Sequence, residues 1–373
     1  MADISFSASP QRRIFAHFPW HLAFVTLAIS VIGIWNLASA SRSAHAPVWI
    51  QQSWFMGAGA VIALGICLFD TRTFQRLAWL AYGATVGLLL LVFVKGKVVM
   101  GARRWLDLGP INLQPSELAK LAVALALAAW FSRDAERRGK EGYGLVGLLI
   151  PFAIILLPAV LTLKQPDLGT ALIIVATGMT QILFARVRWK TLAILATVAV
   201  SGAVFVYPHL KPYQKKRVET FLDPGKDALG AGYHATQSMI AVGSGQGFGK
   251  GWGQGTQTYL SFLPEQHTDF IFSVWAEERG FVGCLLLLAL YFVLIASAIE
   301  IAGNARDRFG SFLAVGLVGM LFWQVTINVG MVTGVLPVVG VTLPLMSYGG
   351  SSVLVIYAAM GLLANLGMRR FVN

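Results

Sequence analysis

Ten apolar runs dominate this chain, at roughly 20–40, 54–69, 77–94, 116–131, 145–163, 168–184, 191–207, 269–298, 309–332 and 351–366. Several exceed the ~18 apolar residues that mark a membrane-spanning helix. The runs are unbroken rather than alternating, which points to helices and not to barrel strands. The expected fold is therefore all-α. It is a polytopic integral membrane helix bundle of about ten transmembrane helices, formed by one domain over residues 1–373. Only 12% of the residues are charged, against about a quarter in a soluble protein. The net charge of +12 does not indicate a nucleic-acid partner, because no soluble region is large enough to hold a basic module. Cys67 and Cys284 both lie in apolar runs, so neither a disulfide nor a metal cluster is expected. The N-terminal run has no small-residue cleavage site behind it, and the first span is expected to serve as an uncleaved anchor.

Loop charge sets the orientation. Taken alternately, one set of loops carries Arg12 and Arg13, Arg72 and Arg76, Arg133 with Arg137, Arg138 and Lys140, Arg186 with Arg188 and Lys190, Arg306 with Arg308, and Arg369 with Arg370. That set is placed in the cytoplasm, with both termini. The other set faces out and includes a long extracytoplasmic loop over 208–268. It holds Lys95, Lys97, Arg103, Arg104, Lys211, Lys215, Lys216, Arg217 and Lys250, against the usual bias. Exported cations need a local reason: either they snorkel to lipid phosphate, or together they hold a polyanionic substrate.

The most informative stretch is 263–280. It runs through Glu265, His267, Thr268, Asp269, Glu277, Glu278, Arg279 and Gly280 into an apolar run. Ionisable groups at the mouth of a span are costly and mark function by default. Thr268 is expected to cap a helix running from Asp269 to about Ala298. About thirty residues at ~1.5 Å each exceed a hydrocarbon core of ~30 Å, which lifts Asp269 to headgroup height. Asp269 is the expected catalytic residue.

Other constellations lie on the same side. Arg103, Arg104 and Trp105 sit in a short outer segment that reads either as an interfacial anchor or as a phosphate fork beside a stacking ring. Glu117 and Lys120, three apart, share one helix face and form either a structural ion pair or the lining of a wet cavity. Asp167 separates the fifth and sixth runs in a tight Lys164-Gln165-Pro166-Asp167 turn, and both helix capping and function explain an acid there. Residues 213–224 carry Arg217, with Val218, Phe221 and Leu222 at helical spacing, and read as an interfacial amphipathic helix. The Gly-rich segment 243–257, with Lys250 and Gln257, lacks a Walker lysine followed by Ser or Thr. It suits either close backbone approach to a ligand or simple flexibility. Residues 333–352, with Ser347, are too rich in Gly and Pro for a continuous span and read as a re-entrant or broken segment beside the site.

Taken in order, Gly101–Lys120, Gln165–Thr170, Tyr213–Pro224, Gly232-Tyr233-His234, Gly243–Gln257, Phe262–Gly280 and Asn328–Ser352 resemble the shape, elongation, division and sporulation (SEDS) family of polytopic cell-wall polymerases. Phe262-Leu263-Pro264-Glu265 and Leu336-Pro337-Val338-Val339-Gly340 look like its elongation branch. The resemblance implies a peptidoglycan glycosyltransferase that polymerises lipid II, an undecaprenyl-pyrophosphate-linked disaccharide pentapeptide, into β-1,4 glycan on the outer face of the bacterial inner membrane. It implies a class B penicillin-binding protein of the penicillin-binding protein 2 type as transpeptidase partner, together with other wall-elongation proteins. By position, Asp269 matches the family's essential aspartate, and Glu117 and Lys120 match its cavity pair.

The expected substrate-binding set is Arg103, Arg104, Trp105, Glu117, Lys120, Asp167, Arg217, Lys250, Gln257 and Ser347. Arg104, Lys120 and Arg217 are the candidates for pyrophosphate contact. A good leaving group needs little acid assistance, so one carboxylate base with cations on the pyrophosphate is sufficient, and attack opposite the leaving group predicts inversion. No organic cofactor is expected. Asp269 is also a possible ligand for a divalent cation, Mg or Mn. A lipid II flippase and a non-catalytic scaffold are the competing readings. The flippase would need ionisable groups through the bilayer depth, and the scaffold would not need Asp269.

Overall fold

A computed structural model describes residues 17–42, 47–99, 102–107, 109, 112–138, 142–206, 208, 212–223, 231–260, 262 and 265–370. Arg12, Arg13, Gly101, Lys140, Lys211, Leu263 and Pro264 lie outside them.

Each of the ten apolar runs is a helix. In chain order these are α1 (Trp20–Ala40), α2 (Val48–Leu68), α3 (Thr71–Lys95), α4 (Pro115–Arg138), α5 (Leu149–Lys164), α6 (Leu168–Phe184) and α7 (Trp189–Val206). The long loop then contributes α8 (Pro212–Leu222), α9 (Ala231–Ser244) and the single turn α10 (Thr256–Tyr259). The chain closes with α11 (Ile271–Gly303), α12 (Arg308–Val332) and α13 (Gly350–Met368). Among the described residues, seven helices are long and apolar enough to cross a membrane. Two further apolar helices, α6 and the first part of α7, are shorter. The chain is a helical membrane protein.

The expectation of an all-α chain needs one amendment. Between α3 and α4 lies a small antiparallel sheet of β1 (Lys97–Val99), β2 (Ala102–Asp107) and β3 (Asn112–Leu113), in the order β1-β2-β3. Its strands are too short and too polar to register as an alternating apolar pattern.

The bundle is centred on α13, whose apolar window is 83% buried, against 22% for α2 and for α3 at the periphery. Small residues let helices close up: a Cβ on Gly361 of α13 would meet the backbone of Ala63 in α2, and one on Gly59 would meet the Tyr357 ring. Side-chain amides then staple helices together where no water reaches. Gln181 Nε2 donates to the carbonyls of Ala124 (3.0 Å) and Phe312 (2.8 Å), joining α6 to α4 and α12. Asn365 Nδ2 donates to the carbonyls of Ile66 (2.9 Å) and Phe69 (2.7 Å), satisfying the end of α2. Aspartates cap helices here: Asp70 accepts from Arg72 N at 3.3 Å, and Asp307 from Gly310 N at 2.7 Å.

Two departures from regular helix shape the region around Asp269. Residues 333–349 run as irregular backbone between α12 and α13, as expected. The other break lies inside α11 at Gly280, with φ 66° and ψ −165°.

Candidate active site

Asp269 stands in a turn over 265–270, just before α11. The helix begins two residues later than expected, at Ile271, and Thr268 does not cap it. The Thr268 hydroxyl instead donates back to the Glu265 carbonyl at 3.2 Å and lies 3.1 Å from Glu265 Oε2, tightening the turn. The irregular segment 333–349 clamps this turn from the other side. Ser347 Oγ donates to the Thr268 carbonyl at 2.6 Å and accepts from Leu343 N at 2.7 Å. Tyr348 N donates to the His267 carbonyl at 2.9 Å. Asn328, on α12, donates to the carbonyls of Asp269 (2.9 Å) and Val341 (2.6 Å). Gly340 has φ +76°, and a Cβ there would sit 3.1 Å from Asp269 Oδ2, so the bare backbone lets the loop close on the carboxylate.

Asp269 is half-buried, and four charged groups act on it. Burial pushes its carboxyl up from the ordinary 3.8 to about 6, with Glu265 and Asp167 adding to the rise and Arg217 and Arg104 opposing it. At neutral pH it is an ionised base held close to its titration point.

Three of these neighbours sit on β2, at the start of α6 and on α8. Arg104 on β2 donates through Nε to the Gln165 carbonyl at 3.1 Å, and its Nη2 donates to the Pro166 carbonyl. It thereby braces the α5–α6 turn, in which Pro166 has a positive φ of 31°. Asp167 caps α6, accepting from Thr170 N at 3.2 Å on Oδ1, while Gln114 Nε2 (3.0 Å) and Ser116 Oγ (3.3 Å) donate to Oδ2. Arg217 on α8 donates to the Val339 carbonyl at 3.0 Å, beside Gly340. A cavity of about 40 Å³ opens next to Arg217, lined by Thr220, Met239, Leu336 and Pro337 among others.

Arg103 and Trp105 share strand β2 with Arg104 but not its contacts. Arg103 is exposed, with Nη1 3.4 Å from the Phe93 carbonyl. Trp105 is half-buried opposite Lys97. Glu117 and Lys120 pair at 2.6 Å on the first turns of α4, with side chains 7% and 2% exposed. In this structure the charge of Lys120 faces Glu117.

Lys250 and Gln257 go elsewhere as well. Glu277 is fully buried on α11 and gathers Lys250 Nζ (2.6 Å), Thr256 Oγ1 (3.1 Å) and Gln257 N (3.1 Å) on one oxygen. Glu278 accepts from Ser39 Oγ of α1 and from Gly253 N at 3.0 Å. The Gly-rich segment is thus docked rather than slack. It fills the break at Gly280: Phe281 N and Val282 N donate to the carbonyls of Gln246 (2.7 Å) and Gly247 (3.0 Å). In return, Lys250 N and Gly251 N donate to the carbonyls of Glu277 and Glu278, both at 3.0 Å. A Cβ on Gly249 would lie 2.2 Å from the Glu278 carbonyl oxygen, so only glycine permits this approach.

Among the described residues, no three His, Cys, Asp or Glu side chains converge to hold a metal ion. Both oxygens of Asp167, the obvious second ligand beside Asp269, already accept protein hydrogen bonds. The donor set does not form a protein-held metal cage.

Sequence reasoning passed over Asn328 and assigned no role to Gln52. Gln52 is fully buried; it donates to the Ser347 carbonyl at 2.8 Å, and its Oε1 accepts from Gly349 N at 3.2 Å. Their signal was present: an amide inside an apolar run needs a partner at membrane depth.

Comparison with known proteins places this architecture. A sequence model of the FtsW/RodA/SpoVE cell cycle proteins matches residues 16–371. The chain is 42% identical over 315 residues to the peptidoglycan glycosyltransferase MrdB of Escherichia coli K12, covering 84% of this chain and 83% of that protein. It is 37% identical over 359 residues to the stage V sporulation protein E of Bacillus subtilis, covering 92% and 95%. Among solved structures it superposes on a chain of a peptidoglycan synthase complex that coordinates polymerization and crosslinking, with TM-score 0.82, 35% identity, and coverage of 95% of this chain and 99% of that one. It also superposes on the rod shape determining protein RodA of Thermus thermophilus, with TM-score 0.71, 32% identity, and coverage of 95% and 98%. A ten-run bundle with its acid set before a broken helix, matched in sequence over nearly its whole length, makes this chain a member of the FtsW/RodA/SpoVE family.

Proposed function

We propose that this chain is a peptidoglycan glycosyltransferase of the bacterial inner membrane, polymerising lipid II on the outer face with Asp269 as general base. The observation that carries the reading is the setting of Asp269: Asn328 holds its main chain at 2.9 Å, bare Gly340 faces its carboxylate, and Arg217 and Arg104 act on a carboxyl raised to about 6. A base whose pKa lies just below working pH is ionised and still basic enough to take a proton in the transition state. The names of the relatives, peptidoglycan glycosyltransferase among them, support the same chemistry.

In this mechanism the acceptor sugar's 4-hydroxyl approaches Asp269 and gives up its proton as it attacks the anomeric carbon of the growing chain. The bond to lipid pyrophosphate breaks on the opposite side, and the configuration inverts. Arg217 and Arg104 each donate to backbone carbonyls, which holds two guanidinium charges near Asp269 on the side where the pyrophosphate leaves. No step is routed through a cation. The partner is a class B penicillin-binding protein, which crosslinks the glycan as it emerges; a structural neighbour drawn from a complex of polymerization and crosslinking supports this pairing.

The test is polymerisation of labelled lipid II by purified protein with its partner. Glycan strands are expected from the wild type and none from Asp269→Ala. Normal polymerisation by that variant overturns the assignment. Lipid movement across liposomes without polymer replaces it with the flippase.

A further inference from the structure

Buried amides staple this bundle in several places, and one of them is aimed at the candidate base. Asn328 is fully enclosed on α12. Its Nδ2 bridges the carbonyls of Asp269 and Val341, at 2.9 and 2.6 Å. Both partners are pure acceptors, so the amide can only present its NH₂ group to them. Its Oδ1 is then left without a hydrogen-bond partner among the described residues. Gln181 and Asn365 leave their amide oxygens in the same state, so the distinction of Asn328 lies in its partners. What it joins is informative. One carbonyl belongs to Asp269 itself, and the other follows Gly340, whose bare Cα faces Asp269 Oδ2. The same short segment holds Val339, whose carbonyl accepts from Arg217.

We infer that Asn328 is a positioning residue for the glycosyl transfer. Its two N–H bonds fix the Asp269 turn against 339–341, and so fix the carboxylate relative to Arg217. The inference rests on Asp269 being the base. Proton abstraction tolerates little displacement of the base, whereas substrate binding through distant groups is insensitive to it.

Two variants test the proposal. Asn328→Asp keeps the shape but can donate to at most one of the two carbonyls, and Asn328→Leu keeps most of the volume and donates to neither. With lipid II as substrate, both are expected to lower kcat by about tenfold or more while KM stays within about twofold. The acid limb of the pH profile is expected to move, because the distance from the carboxylate to Arg217 changes. Hydrogen exchange in the peptides covering 265–270 and 339–343 is expected to quicken in both variants, a readout that needs no activity. Unchanged kcat in a folded variant overturns the proposal. So does a loss that only follows the fraction of folded protein, and so does unaltered exchange in both peptides. If Asp269→Ala polymerises like the wild type, the reading of Asp269 fails instead, and the exchange measurement still decides whether Asn328 pins the turn.

Discussion

Asp269 and Glu277 lie eight residues apart on one segment, and their surroundings are opposite. Glu277 is fully buried and saturated, with one ammonium, a hydroxyl and a backbone N–H on a single oxygen. Asp269 is half-buried, its backbone is held, and its carboxylate is shaped by charges on both sides. An acid that is enclosed and held by an ammonium, a hydroxyl and a backbone N–H has little left for a substrate. One that is pinned through its main chain keeps its oxygens for chemistry. The difference separates a carboxylate closed off by its neighbours from one that suits the proposed base, where the residue type does not.

The largest expected effect is on turnover at the open acid. Asp269→Asn should lower kcat by about 10²–10⁴-fold, the range of general-base catalysis, with the fold intact. Circular dichroism beside a lipid II assay checks both halves, and an unfolded variant would erase the distinction drawn here. At the closed acid the effect should fall on stability. Glu277→Ala leaves Lys250 and two N–H or O–H donors without their acceptor and should cost about 3–5 kcal/mol. Thermal melts in detergent measure it, and activity per folded molecule should stay close to that of the wild type. A sharper probe of the same block is Gly249→Ala, which forces a Cβ onto the Glu278 carbonyl at positive φ and should cost about 1–3 kcal/mol.

The smallest effect concerns pH. A carboxyl raised from 3.8 to about 6 favours folding fully below the lower value, and that contribution is lost as pH rises through the higher one. Asp269→Asn should therefore gain about 1–3 kcal/mol relative to the wild type at pH 8 and gain nothing at pH 4. Wild-type kcat/KM should fall as pH drops through about 6. A pH-independent difference between the two proteins would mean that Asp269 is not strained in its ionised form.

Much of this was legible in the chain. The limits of α1 and α6 match their apolar runs, because solvation by lipid rewards unbroken apolar length directly. The break between α5 and α6 was visible in Pro166 and Asp167, and the irregular 333–349 segment in its Gly and Pro content. The role of the Gly-rich segment was not legible. Glycine signals an unusual backbone but not what it approaches, and here the partner is the interior of a helix about thirty residues later. The same limit applies to Lys250 and Gln257, whose partner Glu277 is set by that docking. The sheet at 97–113 escaped because its pairing is local and polar.

The break at Gly280 also constrains the order of assembly. Two N–H and two C=O groups inside a membrane-crossing helix are satisfied only by residues 246–251. Left bare in hydrocarbon, each would cost several kcal/mol. The first part of α11 therefore cannot settle in lipid as an autonomous helix, and insertion of this span waits on the loop that precedes it in the chain. Biogenesis of the segment that carries Asp269 is thereby tied to the folding of residues 246–251.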